Sequence, residues 1–154
     1  MTPRATSIHS FLKTFNDSVH IVDEEKFIIN TRYRGADICL IFYVNDEQDF
    51  LSVEASPSDY RASADAQQAI LYLCTTSHGN GIIPLLNVTI EGKFSAQMST
   101  YLEERQSPSP LLLQRLMSTC SQELCRHLPA VKAVSNRTKD PEVAYLELIL
   151  PSLW

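Results

Sequence analysis

Residues 38–44 read Ile-Cys-Leu-Ile-Phe-Tyr-Val, and six of these seven side chains are β-branched, aromatic or Leu. Such residues favour extended backbone because they fit a pleated, partly buried surface. A run that is apolar at both odd and even positions predicts a central strand with both faces largely covered. Alternation assigns its side chains to the two faces as Ile38, Leu40 and Phe42 on one, and Cys39, Ile41 and Tyr43 on the other.

Turn signals flank this strand at short intervals. On its N-terminal side, residues 19–33 alternate apolar and polar side chains, which predicts either one long strand or a hairpin that turns at residues 23–26. On its C-terminal side, a polar turn at residues 45–49 precedes another strand at residues 50–55. Because the connections leave no room for crossover helices, these strands are predicted to form an antiparallel meander.

Helical periodicity marks three further segments. Residues 7–16 place apolar side chains at i, i+3, i+4 and i+7, and residues 63–77 carry a similar stripe. A third helix is predicted at residues 110–128, with Ser109 as its N-cap and a proline at its first position. Pro129 is expected to end that helix, because a proline inside a helix removes a backbone hydrogen bond.

The remaining segments are a second hairpin and the C-terminus. Residues 84–90 and 94–101 read as two strands joined by a tight turn. Residues 130–139 are expected to be irregular. Residues 140–154 begin with Asp-Pro-Glu, which favours a helix start, although residues 143–150 are apolar on both faces and suit a buried strand equally well. The helix is slightly preferred.

This order of elements predicts a single α+β domain, residues 1–154, in which helices pack on an antiparallel sheet of about five strands. Residues 130–154 form a C-terminal extension whose structure the pattern leaves open. A chain of 154 residues with 44% hydrophobic side chains can bury a core without metal or disulfide staples. Its four cysteines lie in apolar elements and form no C-x-x-C pair, which favours buried thiols.

Charge and hydropathy exclude several classes of partner. The formal net charge is −5, and the nearest approaches to a basic cluster are Arg32 with Arg34 and the segment containing Lys132, Arg137 and Lys139. These are too few to neutralise a run of phosphates, so nucleic acid is not an expected partner. No apolar run approaches the ~20 residues that cross a bilayer, and no signal-peptide layout is present, so a cytoplasmic protein without membrane contact is expected.

No motif for catalysis or cofactor binding is found. The four histidines fall in different elements, and no His or Cys spacing matches a metal site. A nucleophile elbow, a Walker loop and a dinucleotide-binding glycine motif are all missing, and four glycines are few for a phosphate-binding loop. The sequence therefore predicts no catalytic residue, no metal and no organic cofactor.

The pattern resembles that of the YbjN-like proteins, which belong to the type III secretion chaperone-like superfamily. Residues 27–50 share the rhythm of strand, Gly turn, very apolar strand, acidic turn and Phe-Leu. Residues 66–76 are similar to the central helix, and residues 90–94 and 111–128 to the later hairpin turn and helix. The resemblance covers about four fifths of the chain. It implies an α+β fold, often dimeric, that binds protein segments without catalysis, and it carries no site residues.

An apolar surplus indicates where a partner could bind. Leu111 and Leu112 widen the stripe of the third helix, and the C-terminus is rich in Leu. These residues either complete the core or form a patch for a partner or a second copy. The candidate protein-binding residues are Leu111, Leu112, Leu150, Leu153 and Trp154. The expected function is a non-enzymatic, chaperone-like or regulatory protein-binding domain that binds a protein segment or itself, and a homodimer is expected. A structural self-associating subunit and a small enzyme with a dispersed site are the alternatives.

Overall fold

A computed structural model describes residues 1–16, 18–79 and 84–150, and over these ranges the chain has an α+β fold. In chain order the elements are α1 (Pro3–Phe15), β1 (His20–Asp23), β2 (Lys26–Tyr33), β3 (Ala36–Asn45), β4 (Phe50–Pro57), α2 (Gln67–Gly79), β5 (Leu85–Val88), β6 (Phe94–Tyr101), α3 (Pro110–Ser135) and α4 (Pro141–Ile149). A turn of 3-10 helix, Ala64–Ala66, leads into α2.

The six described strands form one antiparallel sheet in the order β1-β2-β3-β4-β6-β5. The predicted meander and the second hairpin are therefore confirmed, with one strand more than the expected five. The extra strand arises because the chain reverses between Asp23 and Lys26, so that the hairpin alternative for residues 19–33 is the one observed. Strand β1 lies at one edge of the sheet and all four of its residues are exposed.

One face of the sheet, here called the covered face, forms the hydrophobic core together with α1, α2 and α3. Residues directly opposite each other in antiparallel strands have their side chains on the same face of the sheet. The pairs Phe27–Phe42 and Leu40–Ala55 therefore lie together on the covered face. Its fully buried members include Phe27, Ile29, Ile38, Leu40, Phe42, Val44, Leu51, Val53, Leu86 and Phe94. Each large side chain buried in this way contributes about 1.5–3 kcal/mol.

The opposite face, here called the open face, is less completely covered, although the expectation was that both faces of β3 are largely covered. Cys39, Ile41 and Tyr43 point away from the core and are only partly buried. Within the described ranges, no helix packs on this face. The difference between the two faces has a physical reason: an apolar run shows that a strand suits a partly buried surface on both sides, but it does not show how many layers surround the sheet.

Helix α3 corrects a second expectation, because it continues through Pro129 to Ser135. A proline inside a helix costs about 3 kcal/mol. The extension offsets this cost because Val131 and Val134 are buried, and because α4 packs against α3. Residues 130–135 are therefore helical rather than irregular, and the helical alternative is confirmed for residues 141–149.

Arg4 anchors α1, which begins at Pro3 rather than near residue 7 and is capped by Thr2. The Arg4 side chain is 6% exposed, and its Nη1 lies 2.7 Å from a carboxylate oxygen of Asp49 in the turn between β3 and β4. Its Nε and Nη2 donate to the carbonyl oxygens of Gln106 and Glu103, each at 2.7 Å. Arg4 thus ties the N-terminal helix to two distant segments, a role that its sequence context does not indicate.

Candidate functional site

The open face carries large apolar side chains that the chain does not fully bury. Ile28 and Ile41 are direct cross-strand partners in β2 and β3, and both are partly exposed. Tyr43 and Phe50 continue this apolar surface toward β4. Partly exposed apolar side chains that lie side by side in this way form a continuous apolar patch, and such patches can mark a surface that binds a partner.

A groove of about 560 Å³ crosses the open face. Its apolar side chains are Ile41, Tyr43 and Phe50, and its polar ones include Glu54 and Lys93. Successive side chains of a strand point to opposite faces of the sheet. In β3 and β4, the residues next to those buried in the core therefore point into the groove. Its volume falls within the range of sites that bind ligands or short segments.

The polar groups in the groove are held in place by one another. Lys93 forms an ion pair with Glu54, and both side chains are about three quarters buried. Gln97 donates from its Nε2 to the hydroxyl of Ser52 at 2.8 Å. Both contacts restrain these polar side chains before any ligand binds. A ligand that forms hydrogen bonds with them would therefore cost little additional side-chain entropy.

Cys39 lies on the same face and is not activated as a nucleophile. Burial raises the pKa of its thiol, the nearby Lys93 ammonium counteracts this in part, and the Glu54 carboxylate adds to it. A reactive cysteine needs the opposite shift, because the thiolate is the attacking species. The thiol at this position therefore acts as a small apolar group in the site.

An aromatic pair forms one rim of the open face. The rings of Phe50 and Tyr101 are direct cross-strand partners, with centroids 5.8 Å apart in an edge-to-face arrangement. Tyr101 is 78% exposed. An exposed tyrosine offers a large apolar surface and a hydroxyl at the same time, a combination that is enriched at interfaces.

Of the residues proposed from the sequence as a binding patch, the structure describes Leu111, Leu112 and Leu150, and Leu150 does not lie beside the other two. Leu111 is 56% exposed in the first turn of α3, and Leu112 packs partly against the core. Leu150 follows α4, whose end lies beside Arg126 because Arg126 donates to the carbonyl oxygen of Leu148 at 3.2 Å. At a rise of ~1.5 Å per residue, Leu111 and Arg126 are about 22 Å apart along α3. Leu153 and Trp154 lie outside the described residues.

Leu150 belongs instead to an exposed stripe on α4. Val143, Leu146 and Leu150 have the spacing i, i+3 and i+7, so they lie on one side of the helix, and each is about half exposed. We call these three residues the α4 stripe. In the sequence these residues lie within an apolar run that also contains Ala144. Which of them are exposed, and that Ala144 is buried, depends on how α4 packs against α2 and α3.

Metal binding and membrane crossing find no support in the residues that the structure describes. No group of three or more His, Cys, Asp or Glu side chains is arranged there to hold a metal ion. No helix in the same ranges is long and apolar enough to cross a bilayer. All four cysteines are free, and Cys74 and Cys120 are buried as the sequence predicts, whereas Cys39 and Cys125 are only partly so.

No protein-family model matches the sequence, and no curated protein matches it either. The function of the chain is therefore inferred from the chemistry of its surfaces.

Proposed function

We propose that the chain is a non-enzymatic binding protein that holds an extended protein segment on the open face of its sheet. The observation that carries this proposal is the unequal coverage of the two faces. α1, α2 and α3 contribute to the core on one side, while Ile41, Tyr43 and Phe50 remain partly exposed on the other. Binding a segment there would remove this apolar surface from water.

The mixture of groups in the groove favours a protein segment. Lys26 and Lys93 are balanced by Asp23 and Glu54, so the groove has no dominant charge. An extended segment points every second side chain toward the surface on which it lies, and a mixture of apolar and polar side chains there can match both kinds of group at once.

The expected affinity is modest. Burying two or three large side chains of each partner contributes roughly 1.5–3 kcal/mol each, so a mid-range gain of about 12 kcal/mol stands against an association cost of at least about 4 kcal/mol. Dissociation constants roughly in the micromolar range follow, which suit the exchangeable binding of a chaperone-like or regulatory protein. The free thiols agree with a reducing compartment such as the cytoplasm.

The α4 stripe supports a second candidate function, self-association. Val143, Leu146 and Leu150 could pair with the same residues of a second copy across a two-fold axis, burying all six side chains. Leu146→Ser would then convert a dimer into a monomer, which light scattering at tens of micromolar measures. A parent protein that is monomeric at this concentration would contradict the homodimer.

The proposed function is tested with a displayed library of random peptides, from which binders are selected on the parent protein. Dissociation constants of a selected peptide are then measured by calorimetry for three variants. Ile41→Ser and Tyr101→Ala on the open face should each weaken binding roughly tenfold, because each removes a large contact surface. Leu146→Ser on the α4 stripe is the matched control and should bind like the parent.

Chemical-shift mapping places the bound peptide independently of these substitutions. The largest shifts are expected at backbone amides of β3, β4 and β6. Selection of no peptide, or shifts confined to α4, would overturn the proposal. The second outcome would assign binding to the α4 stripe instead.

A further inference from the structure

A second concave site lies on the helical side of the molecule, away from the open face. Its walls are the turn between β2 and β3, which includes Arg34, and the C-terminal half of α3, which includes Arg126, Pro129 and Lys132. The volume of this cleft is about 470 Å³. It exists because α3 continues beyond Pro129, which brings Lys132 to the same cleft as Arg34. We call it the basic cleft.

The charge of the basic cleft is opposite to that of the whole chain. Three of its lining residues, Arg34, Arg126 and Lys132, are cationic, and none is acidic. The formal net charge of the chain is nevertheless −5. Cations that converge on one concavity in an acidic protein concentrate positive potential there, because a cleft focuses the field of the charges around it.

Two of these cations are held by aromatic rings rather than by carboxylates. The Cζ of Arg34 lies 5.3 Å from the centroid of the Tyr33 ring, and the Nζ of Lys132 lies 5.7 Å from that of Tyr60. Among the described residues, neither cation has a carboxylate within ion-pair distance. A cation–π contact fixes the position of a cation but leaves its charge available to an anion.

The rest of the lining is suited to an organic molecule. Ala36, Cys125 and Pro129 contribute apolar surface, and Gln122 can donate hydrogen bonds from its side-chain amide. Arg126 is engaged with Glu123 at 3.4 Å and with the carbonyl of Leu148 at 3.2 Å, so it supports the edge of the cleft. The two cations without a carboxylate partner in the described ranges, Arg34 and Lys132, suffice for one compact anionic group but not for a polyanion.

We infer that the basic cleft binds a small organic anion, in which a phosphate or carboxylate group contacts Arg34 and Lys132 and an apolar body packs on Pro129 and Cys125. Such a molecule fits a cleft of this volume, since pockets for small ligands have volumes of about 300–1,000 Å³. The guanidinium fork of Arg34 matches either group through two parallel hydrogen bonds. This site is separate from the proposed binding of protein segments, and neither depends on the other.

Protection of Cys125 from alkylation locates the ligand. Cys125 lines the cleft, whereas Cys39 lies on the open face, and both thiols are partly exposed, so Cys39 serves as an internal control. Burial raises the pKa of both thiols, so the full chain is treated with iodoacetamide at about pH 9, where a fraction of each thiol is deprotonated and reacts. The probes are phenyl phosphate, phenylacetate and the neutral benzyl alcohol, and mass spectrometry gives the rate at each cysteine.

If phenyl phosphate slows the alkylation of Cys125 but not that of Cys39, the site is assigned to phosphate-bearing molecules. If only phenylacetate has this effect, the site is assigned to carboxylates. Lys132→Gln should weaken the protecting probe roughly tenfold, because it removes one charge-assisted contact. Arg115→Gln is the control, since Arg115 is exposed on α3 about 16 Å along the helix from Arg126.

Three results would overturn the inference. The first is no protection of Cys125 by either anion at concentrations up to about 10 mM, which corresponds to negligible affinity. The second is equal protection by benzyl alcohol, which would show a purely apolar site. The third is an equal effect of Arg115→Gln and Lys132→Gln in variants whose circular dichroism matches the parent.

Discussion

Leu40 and Ile41 are consecutive aliphatic residues of β3, but they have different surroundings. Leu40 is fully buried on the covered face, whereas Ile41 is partly exposed on the open face beside Glu54 and Lys93. The same contrast between enclosed and open surroundings recurs for a pair of arginines, a pair of glycines and a pair of cysteines. Residue type alone therefore does not set the contribution of a side chain to stability or binding.

The largest effect is expected from an aspartate at the two positions in β3. Leu40→Asp should unfold the domain, because an unpaired buried carboxylate costs several kcal/mol against a total stability of about 5–15 kcal/mol. Ile41→Asp should cost only about 1–2 kcal/mol, since water reaches the open face. Circular dichroism and urea denaturation measure both. Equal destabilisation would show that the open face is enclosed.

The two arginines should differ by several-fold. Arg4→Ala removes the buried partner of Asp49 and two hydrogen bonds to carbonyl groups, at an expected cost of about 3 kcal/mol. Arg32→Ala breaks an ion pair with Asp37 whose side chains are both more than half exposed. That loss should be below about 1 kcal/mol. Urea midpoints test the difference, and a small effect for Arg4→Ala would mean that α1 is held by apolar contacts alone.

The two glycines have nearly the same left-handed backbone angle, φ +81° for Gly35 and +83° for Gly92, but different space around them. A Cβ at Gly92 would overlap the carbonyl oxygen of Ala62, whereas one at Gly35 would meet nothing. Gly92→Ala should therefore cost about 3 kcal/mol from crowding and strain, and Gly35→Ala about 1 kcal/mol from strain alone. Thermal unfolding measures both. Similar losses would show that the segment at Ala62 moves freely.

The smallest effect concerns alkaline pH. Burial raises the pKa of the Cys120 thiol from 9.0 to about 12. The folded state thus favours the protonated thiol, and this stabilisation is complete below pH 9 and is lost as the pH rises toward 12. At pH 10 the loss is about 1.4 kcal/mol for this thiol.

Two alanine variants isolate this contribution. Cys120→Ala should lower stability at pH 7 but make it less sensitive to pH between 8 and 10 than in the parent. Cys39→Ala is the open-face control and should change this sensitivity less, because the Cys39 thiol is partly exposed and the Lys93 charge counteracts its raised pKa. Urea denaturation across the pH series provides the measurement. Identical slopes for the parent and Cys120→Ala would contradict the assignment.

Much of the fold could be predicted because strong local patterns carry it. The apolar run of β3 and the turn residues around it specify neighbouring antiparallel strands, and these are confirmed. The end of α3 could not be predicted, because the local cost of Pro129 is offset by burial of Val131 and Val134, which depends on contacts distant in sequence. Coverage of only one sheet face is likewise a property of the assembled layers.

The candidate sites depended even more on the assembled structure. Arg34 and Lys132 fall in two separate groups of the sequence, and nothing local indicates that they line one cleft. Leu111 and Leu150 are both apolar, but Leu111 lies in the first turn of α3, whereas Leu150 follows a segment that contacts Arg126 in the C-terminal half of that helix. Protein binding, dimer formation and the resemblance to YbjN-like proteins stay predictions.

The contacts of Arg4 also bear on how the chain folds as it leaves the ribosome. The carbonyl groups that accept its hydrogen bonds belong to Glu103 and Gln106, so α1 gains this anchor only after most of the chain has been made. The helix α3 that covers the sheet ends at Ser135, well after β4 ends at Pro57. At about 5–20 residues per second, roughly 4–16 s separate the two events. During that interval α3 cannot yet cover the meander, so part of its covered face is open to water in addition to the open face, and a chaperone or a neighbouring chain can reach both.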